Sequence, residues 1–241
     1  MEKSEILIAA KTDAGKCRAN NEDAISFKQF DNDKAFALVA DGMGGHRAGE
    51  VASALACKQL HIQLQKIDWN EDAIVSTIEQ INQSIYTAAQ ENSEYQGMGT
   101  TLILACIEAS QLLLAHVGDS RCYQFANDIL KPLTRDHSLI EEMLDQGLIE
   151  KEDLGKSMRK NLLTRALGVA NTIDISVSLS QLDGHGLLLL CSDGLSDMLD
   201  DKQIKQLLST PDSLENMCQH FVDAANKAGG RDNISVVLIQ Y

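Results

Sequence analysis

The chain has 241 residues, enough for one large domain or two small ones, and its 35 acids against 21 bases give a net charge of −14. Such a surface repels a phosphate backbone rather than releasing its counterions, which argues against nucleic acid and anionic membranes as partners. The six cysteines lie far apart between Cys17 and Cys218 with no paired-thiolate spacing, so they read as reduced core residues of a cytoplasmic protein, not as a zinc site or a disulfide frame.

Only Pro132 and Pro211 break the chain, and no stretch has linker character, so residues 1–241 read as a single domain. The apolar run Ile6–Ala10 is too short for a targeting region, and Gly186–Cys191 is of strand length only, not a membrane span. Residues 5–12 form a strand closed by the turn Asp13-Ala14-Gly15. After the polar stretch Arg18–Asp23, residues 24–30 alternate as a second strand, and Asp31-Asn32-Asp33 is a hairpin turn into the strand 35–40. That antiparallel pairing brings Glu22 and Asp23, at one strand's start, toward Asp41 at the other's end. Two amphipathic helices follow. Val51, Leu55 and Ile62 with Ala52, Ala56 and Leu60 form the stripe of the first; Ile74, Ile78, Ile81, Ile85 and Ala88 form that of the second, capped by Asn70.

Strands over 100–108 and 111–117 meet at the turn Ala109-Ser110, and Gly118-Asp119-Ser120-Arg121 leads into a strand over 122–126 that ends at Asn127-Asp128. Ser138 caps a helical piece through Leu144, with Glu141 completing a capping box. Residues 145–161 are charged and weakly periodic, a surface insertion. Strands over 173–179 and 186–191, helices over 201–209 and 213–227, and a strand over 234–239 complete the chain. Hairpin connections dominate and helices come in pairs, so an α+β fold of antiparallel sheets under helix layers fits better than a parallel doubly wound sheet.

Asp41, Asp119 and Asp193 each end an apolar run, and Asp232 begins one. Any one of them fits a hairpin turn, because Asp-Gly is a common turn dipeptide. Four brought to one sheet edge repel one another unless a cation neutralises them. Oxygen ligands without a Cys or His cluster select hard cations, Mg²⁺, Mn²⁺ or Ca²⁺, and Gly42 leaves its carbonyl free to add a neutral oxygen. No twelve-residue calcium loop is present. Two metals about 3.5–4 Å apart, bridged by one Asp, suit hydrolysis of a phosphate ester. A lone Arg18 is a surface charge or an acid's partner as readily as a phosphate ligand, but its fork geometry matches two phosphoryl oxygens.

Arg18-x-x-Asn21-Glu22-Asp23, Asp41-Gly42-Met43-Gly44-Gly45-His46, Gly99-Thr100-Thr101, Gly118-Asp119-Ser120-Arg121, Leu163-Thr164-Arg165-Ala166-Leu167-Gly168, Ser192-Asp193-Gly194-Leu195 and Gly230-Arg231-Asp232-Asn233 follow one another in this order. Together they resemble the metal-dependent serine/threonine protein phosphatases of the PPM or type 2C family, and most of all its compact bacterial members. The resemblance runs from about residue 5 to the C-terminus. It implies a central sandwich of two antiparallel β-sheets flanked by paired α-helices, an α-β-β-α arrangement, with a flap insertion at about 145–161 near the active site. It also implies two or three Mn²⁺ or Mg²⁺ ions. Asp41 bridges two of them, Asp193 and Asp232 complete one, the Gly42 carbonyl binds the other, and Glu22 and Asp23 act mainly through water. Asp119, with Asp193, matches the holders of a third, weaker ion, and Arg18 matches the phosphate-binding arginine. The implied protein is a monomer that dephosphorylates phosphoserine and phosphothreonine in proteins by direct attack of water, with no phosphoenzyme. It opposes a bacterial Ser/Thr kinase.

Two departures stand out. Eukaryotic relatives place a His, regarded as the general acid, where this chain has Met43; His46 lies three residues on, so the leaving-group acid is unassigned. Bacterial relatives often carry a His-Pro-x-Arg-Asn-like stretch where Ser157-Met158-Arg159-Lys160-Asn161 stands here. A catalytically dead binding module is one rival reading, which loss of a metal acid would favour; none is lost. A hydrolase acting on phosphorylated domains of stress-signalling systems is another.

Overall fold

The structure, a computed structural model, describes residues 5–44, 48–150 and 162–241. His46, Ser157–Asn161 and most of the expected flap insertion lie outside the described residues. In chain order the elements are β1 (Leu7–Asp13), β2 (Asp23–Gln29), β3 (Lys34–Met43), α1 (Ala48–Gln63), α2 (Glu71–Glu91), β4 (Gly99–Thr100), β5 (Leu102–Glu108), β6 (Gln111–Val117) and β7 (Arg121–Ala126). They continue with β8 (Ile129–Pro132), α3 (Leu139–Asp145), β9 (Ser176–Gln181), β10 (Leu187–Cys191), α4 (Asp193–Ser196), α5 (Asp201–Leu208), α6 (Leu214–Ala228) and β11 (Ile234–Gln240).

One sheet has the order β1-β11-β10-β7-β8 and the other β2-β3-β5-β6-β9, with β4 beside β3, and every pairing between these strands is antiparallel. Side-chain alternation explains why the central strands read as continuous apolar runs. Phe36, Leu38 and Ala40 of β3 face α1 and α2, while Ala35, Ala37 and Val39 face the other sheet. Leu189 and Cys191 of β10, with Val236 and Leu238 of β11, face α5 and α6, while Leu188, Leu190, Val237 and Ile239 fill the space between sheets. With both faces covered, apolar residues occupy both registers. The result is the expected four-layer α-β-β-α sandwich.

Tight turns fix the hairpins. Ala109 and Ser110 have φ of 49° and 68°, and Asn127 and Asp128 have 52° and 59°, the left-handed pair that suits strand twist in a two-residue hairpin. Asn70 caps α2 as expected, accepting from Ala73 N at 3.0 Å.

Several expectations are corrected. β3 runs past Ala40 to Met43, because β4 pairs Gly42 with Thr100 and Met43 with Gly99. The strand expected over 173–179 is displaced to Ser176–Gln181: its pairing with β6 stops at His116, where the loop before α3 crosses and takes His116 Nε2 on the Arg135 carbonyl. Ile62 is 41% exposed, whereas Ala52, Ala56 and Leu60 of α1 are buried and Val51 and Leu55 pack partly buried against the same core. Ser138 caps α3, but the capping box does not close because the Glu141 carboxylate pairs with Arg135 at 2.8 Å. The reciprocal box occurs instead at Asp200 and Gln203 of α5. Five cysteines are buried and Cys17 is exposed, so Cys17 is no core residue. β8 and α4 had no signal strong enough to be expected.

Candidate active site

Antiparallel register brings the acids to one end of the sandwich. Asp23, the first residue of β2, stands directly opposite Asp41 near the end of β3. Thr101 N donates to the Asp41 carbonyl at 2.9 Å and Leu102 pairs with Val117, so Gly118-Asp119 turns at that same end. In the other sheet Cys191 pairs with Val236, which places Asp193 at the head of α4 close to Asp232 just before β11. Asp41, Asp119, Asp193, Asp232, Glu22, Gly42 and Arg18 all line one cavity of about 330 Å³. Asp23 lies behind it, its Oδ2 accepting from Ser192 Oγ at 2.7 Å.

The backbone around these acids is saturated from below. Thr100 Oγ1 donates to the Asp41 carbonyl at 2.9 Å, and Thr101 Oγ1 accepts from Asp41 N at 3.0 Å. Gly42 is pressed between carbonyls: a Cβ there would overlap the Gly49 oxygen and stand 2.5 Å from that of Glu22. The Glu22 carbonyl accepts from Gly42 N and from Ser53 Oγ, at 3.1 and 2.5 Å. Asn233 joins three segments. Its Oδ1 accepts from Glu22 N at 2.8 Å, and its Nδ2 donates to the carbonyls of Ala14 and Asn20 at 3.0 and 2.9 Å.

Burial and like charge act on the same groups. Asp41 is held well above the usual carboxylate range by burial, then by the charges of Asp23 and Asp193. Asp193 is pushed up to about 8 by burial, then by Asp119 and Asp232. Asp119 rises to about 6 through burial and then Asp136. Asp23 rises to about 6 through burial, against the pull of the Ser235 and Ser192 hydroxyls. Burial also raises Glu22, opposed by Arg18.

The donor set fits hard divalent cations. Its oxygens are carboxylates and a carbonyl, without thiolate or imidazole, and Asp23 Oδ1 is buried with no hydrogen-bond donor. Among the described residues no three acidic, His or Cys side chains already stand as a ligand cluster. Arg18 holds Asp232 Oδ2 at 2.6 Å. Arg18 is thus an acid's partner at the cavity mouth, with its side chain 53% exposed. An exposed pair of this kind is worth about 0–1 kcal/mol, so Arg18 is easily released toward another anion.

A sequence profile described as protein phosphatase 2C matches residues 16–238. The chain belongs to the protein phosphatase 2C family. It is an enzyme of that family, and its sandwich is the fold of solved relatives. It is 39% identical over 236 residues to the serine/threonine phosphatase Stp of Listeria innocua, covering 95% of this chain and 94% of that one. The structure of the S. agalactiae serine/threonine phosphatase is similar at a TM-score of 0.91 and 34% identity, over 97% of this chain and 98% of that one. The catalytic domain of the phosphatase PstP, whose structure is a complex with 2 manganese ions, is similar at a TM-score of 0.85 and 30% identity, over 98% and 97% of the two chains.

Every acid singled out in the sequence of this phosphatase reaches the same end of the sandwich. The supporting residues were less legible. Asn233 and the Thr100-Thr101 pair stand inside recognisable motifs but carried no role; Ser53 and Gly49 gave no signal, because their importance is contact with Glu22 and Gly42 across the chain. Met43 lines the cavity, where its thioether has no proton to give.

Proposed function

We propose that this phosphatase hydrolyses phosphoserine and phosphothreonine in proteins with two or three Mn²⁺ or Mg²⁺ ions bound at the acid-lined end. The observation that carries the reading is the convergence of Asp41, Asp119, Asp193 and Asp232 on one cavity with Arg18 at its mouth, in a chain of this family. Bound there, divalent cations supply a strongly nucleophilic water at neutral pH and offset phosphoryl charge.

The chain's own residues do the rest. Asp41 would be shared between two ions, Asp193 and Asp232 would complete the ligands of one, and the Gly42 carbonyl would serve the other. Glu22 and Asp23 would act mainly through water, and Asp119 with Asp193 would hold a third, weaker ion. Deprotonation of the raised carboxyls accompanies cation binding, so affinity depends on pH. With Asp232 engaged elsewhere, Arg18 turns its fork to the substrate phosphoryl group and orients it for in-line attack. Attack by water leaves no phosphoenzyme. Neither Met43 nor any His among the described lining residues provides a proton donor, so the leaving group's acid stays unassigned.

No helix among the described residues is long and apolar enough to cross a membrane. Membership of a serine/threonine phosphatase family supports phosphorylated proteins as the substrates, and our reading takes the protein as a single-domain cytoplasmic monomer that opposes a Ser/Thr kinase. The test is hydrolysis of a phosphothreonine peptide with Mn²⁺, with chelator, and by Asp193→Asn. Loss in the last two is expected; activity that survives chelation overturns the reading.

A further inference from the structure

Behind the acid-lined end, two imidazoles stack. The rings of His116, at the end of β6, and His137, in the loop before α3, lie with centroids 4.5 Å apart at 20°. Both residues are buried, and neither lines the acid cavity or the larger one beside it. Their loop ties down both flanks of the Asp119 turn at three successive residues. The Arg135 carbonyl meets His116 Nε2 at 2.9 Å, and Asp136 takes a two-point hydrogen bond from Arg121 at 2.8 and 2.6 Å. Between them His137 grips Gly118 twice, donating its backbone N–H to the Gly118 carbonyl at 2.9 Å and accepting Gly118 N on Nδ1 at 3.1 Å.

The chemistry of the ring follows from that contact. A backbone N–H only donates, so Nδ1 is unprotonated and the neutral ring carries its proton on Nε2, which donates to Ser176 Oγ at 2.9 Å. The turn it holds has no slack. Gly118 has φ of +102°, and a Cβ there would stand 2.7 Å from Thr101 Cγ2, on the residue whose hydroxyl accepts from Asp41 N. The next residue along is Asp119.

We propose that His137 is a positioning residue, which fixes the Gly118-Asp119 turn and thereby the approach of the Asp119 carboxylate to the weaker cation shared with Asp193. This rests on the reading of Asp119 as a ligand of that cation. Support at one remove from a ligand typically changes metal affinity about 10–100-fold.

The experiment is a Mn²⁺ titration followed by electron paramagnetic resonance of free Mn²⁺, on the whole chain, with thermal melting as a check on folding. Asn presents an acceptor at the place of Nδ1, whereas Gln presents its amide at the place of Nε2. His137→Gln is therefore expected to weaken the weakest Mn²⁺ about tenfold and leave the tighter ions unchanged. His137→Asn and Ser176→Ala are expected to leave all of them unchanged, and His137→Gln is expected to add nothing in an Asp119→Asn background. If Asp119→Asn keeps every Mn²⁺, the reading of Asp119 fails and the proposal with it. If Asp119→Asn loses the weak ion but His137→Gln does not weaken it, or Asn and Gln weaken it equally, the proposal alone is overturned. Should His137→Gln not fold, nuclear magnetic resonance of the unmodified protein decides. Mg²⁺ filling the weak site is expected to move the Gly118 amide and the His137 ring nitrogens with one midpoint, and unmoved ring resonances overturn the proposal.

Discussion

The strands β3, β10 and β11 pass through two regions of opposite character. In the middle of the sandwich their residues, such as Leu38, Val39, Leu189, Leu190, Val236 and Val237, are wholly buried in apolar layers. At one end, within a few residues, the same strands deliver Asp41, Asp193 and Asp232 to a common cavity. Burial stabilises the first region and opposes the second, because taking a carboxylate out of water without a partner is unfavourable. The middle holds the fold; the end is a site that the fold forces together. Stability and function should therefore separate by mutation.

The largest effect is expected from Asp41→Asn, which should lower kcat/KM on a phosphothreonine peptide about a thousandfold or more. The same change removes a repelled carboxylate, so the metal-free variant should melt no lower than its parent; a clear drop in melting temperature would break the contrast. Phe221→Ala acts in the opposite region. It opens the wholly buried layer under α6 and should cost about 3–5 kcal/mol in a denaturant titration, with Mn²⁺ half-saturation of the folded fraction unaltered. Gly42→Ala lies where the regions join, and the added Cβ must displace the Gly49 and Glu22 carbonyls. A loss of about 1–3 kcal/mol together with weaker Mn²⁺ binding is expected, measured by melting and by metal titration.

The smallest effect is a slope with pH. Asp193, raised to about 8, keeps its proton in the folded protein after the unfolded chain has lost it. Its contribution to stability is complete below the unfolded carboxylate pKa and is lost as pH rises through the folded value. His137, pushed down to about 4 by burial and then by His116, works the other way: its contribution is complete above about 6.5 and lost as pH falls. From about pH 6.5 to 8 the histidine is flat, and Asp193 with Asp41, which is also held up, sets the sign. The metal-free protein should lose about 1 kcal/mol per pH unit or more there, and saturating Mn²⁺ should remove the slope. Metal-free stability that rises over that window would show that the acids are not held together as described.

Much of this was legible in the residues. Alternation and turn chemistry located most strands and both helix pairs, and the carboxylates at strand ends pointed to the site. The misses have physical causes. A strand ends where its neighbour stops offering hydrogen bonds, which is why β9 begins at Ser176 and β3 runs on to Met43. The stripe of α1 is set by which face meets the sheet, and three alanines with small side chains let the helix sit close, leaving Ile62 outside. Glu141 had two partners within reach and chose Arg135 over its own helix end.

By itself the sequence determined the layer pattern and the kinds of atom at the site, because side-chain period and carboxylate chemistry are local properties. Only the tertiary structure decided which groups meet. Arg18 on Asp232, Asn233 under Glu22 and His137 against Gly118 are contacts between residues 214, 211 and 19 apart in the chain. Sheet register brings them within hydrogen-bond distance, and no spacing along the chain encodes that distance.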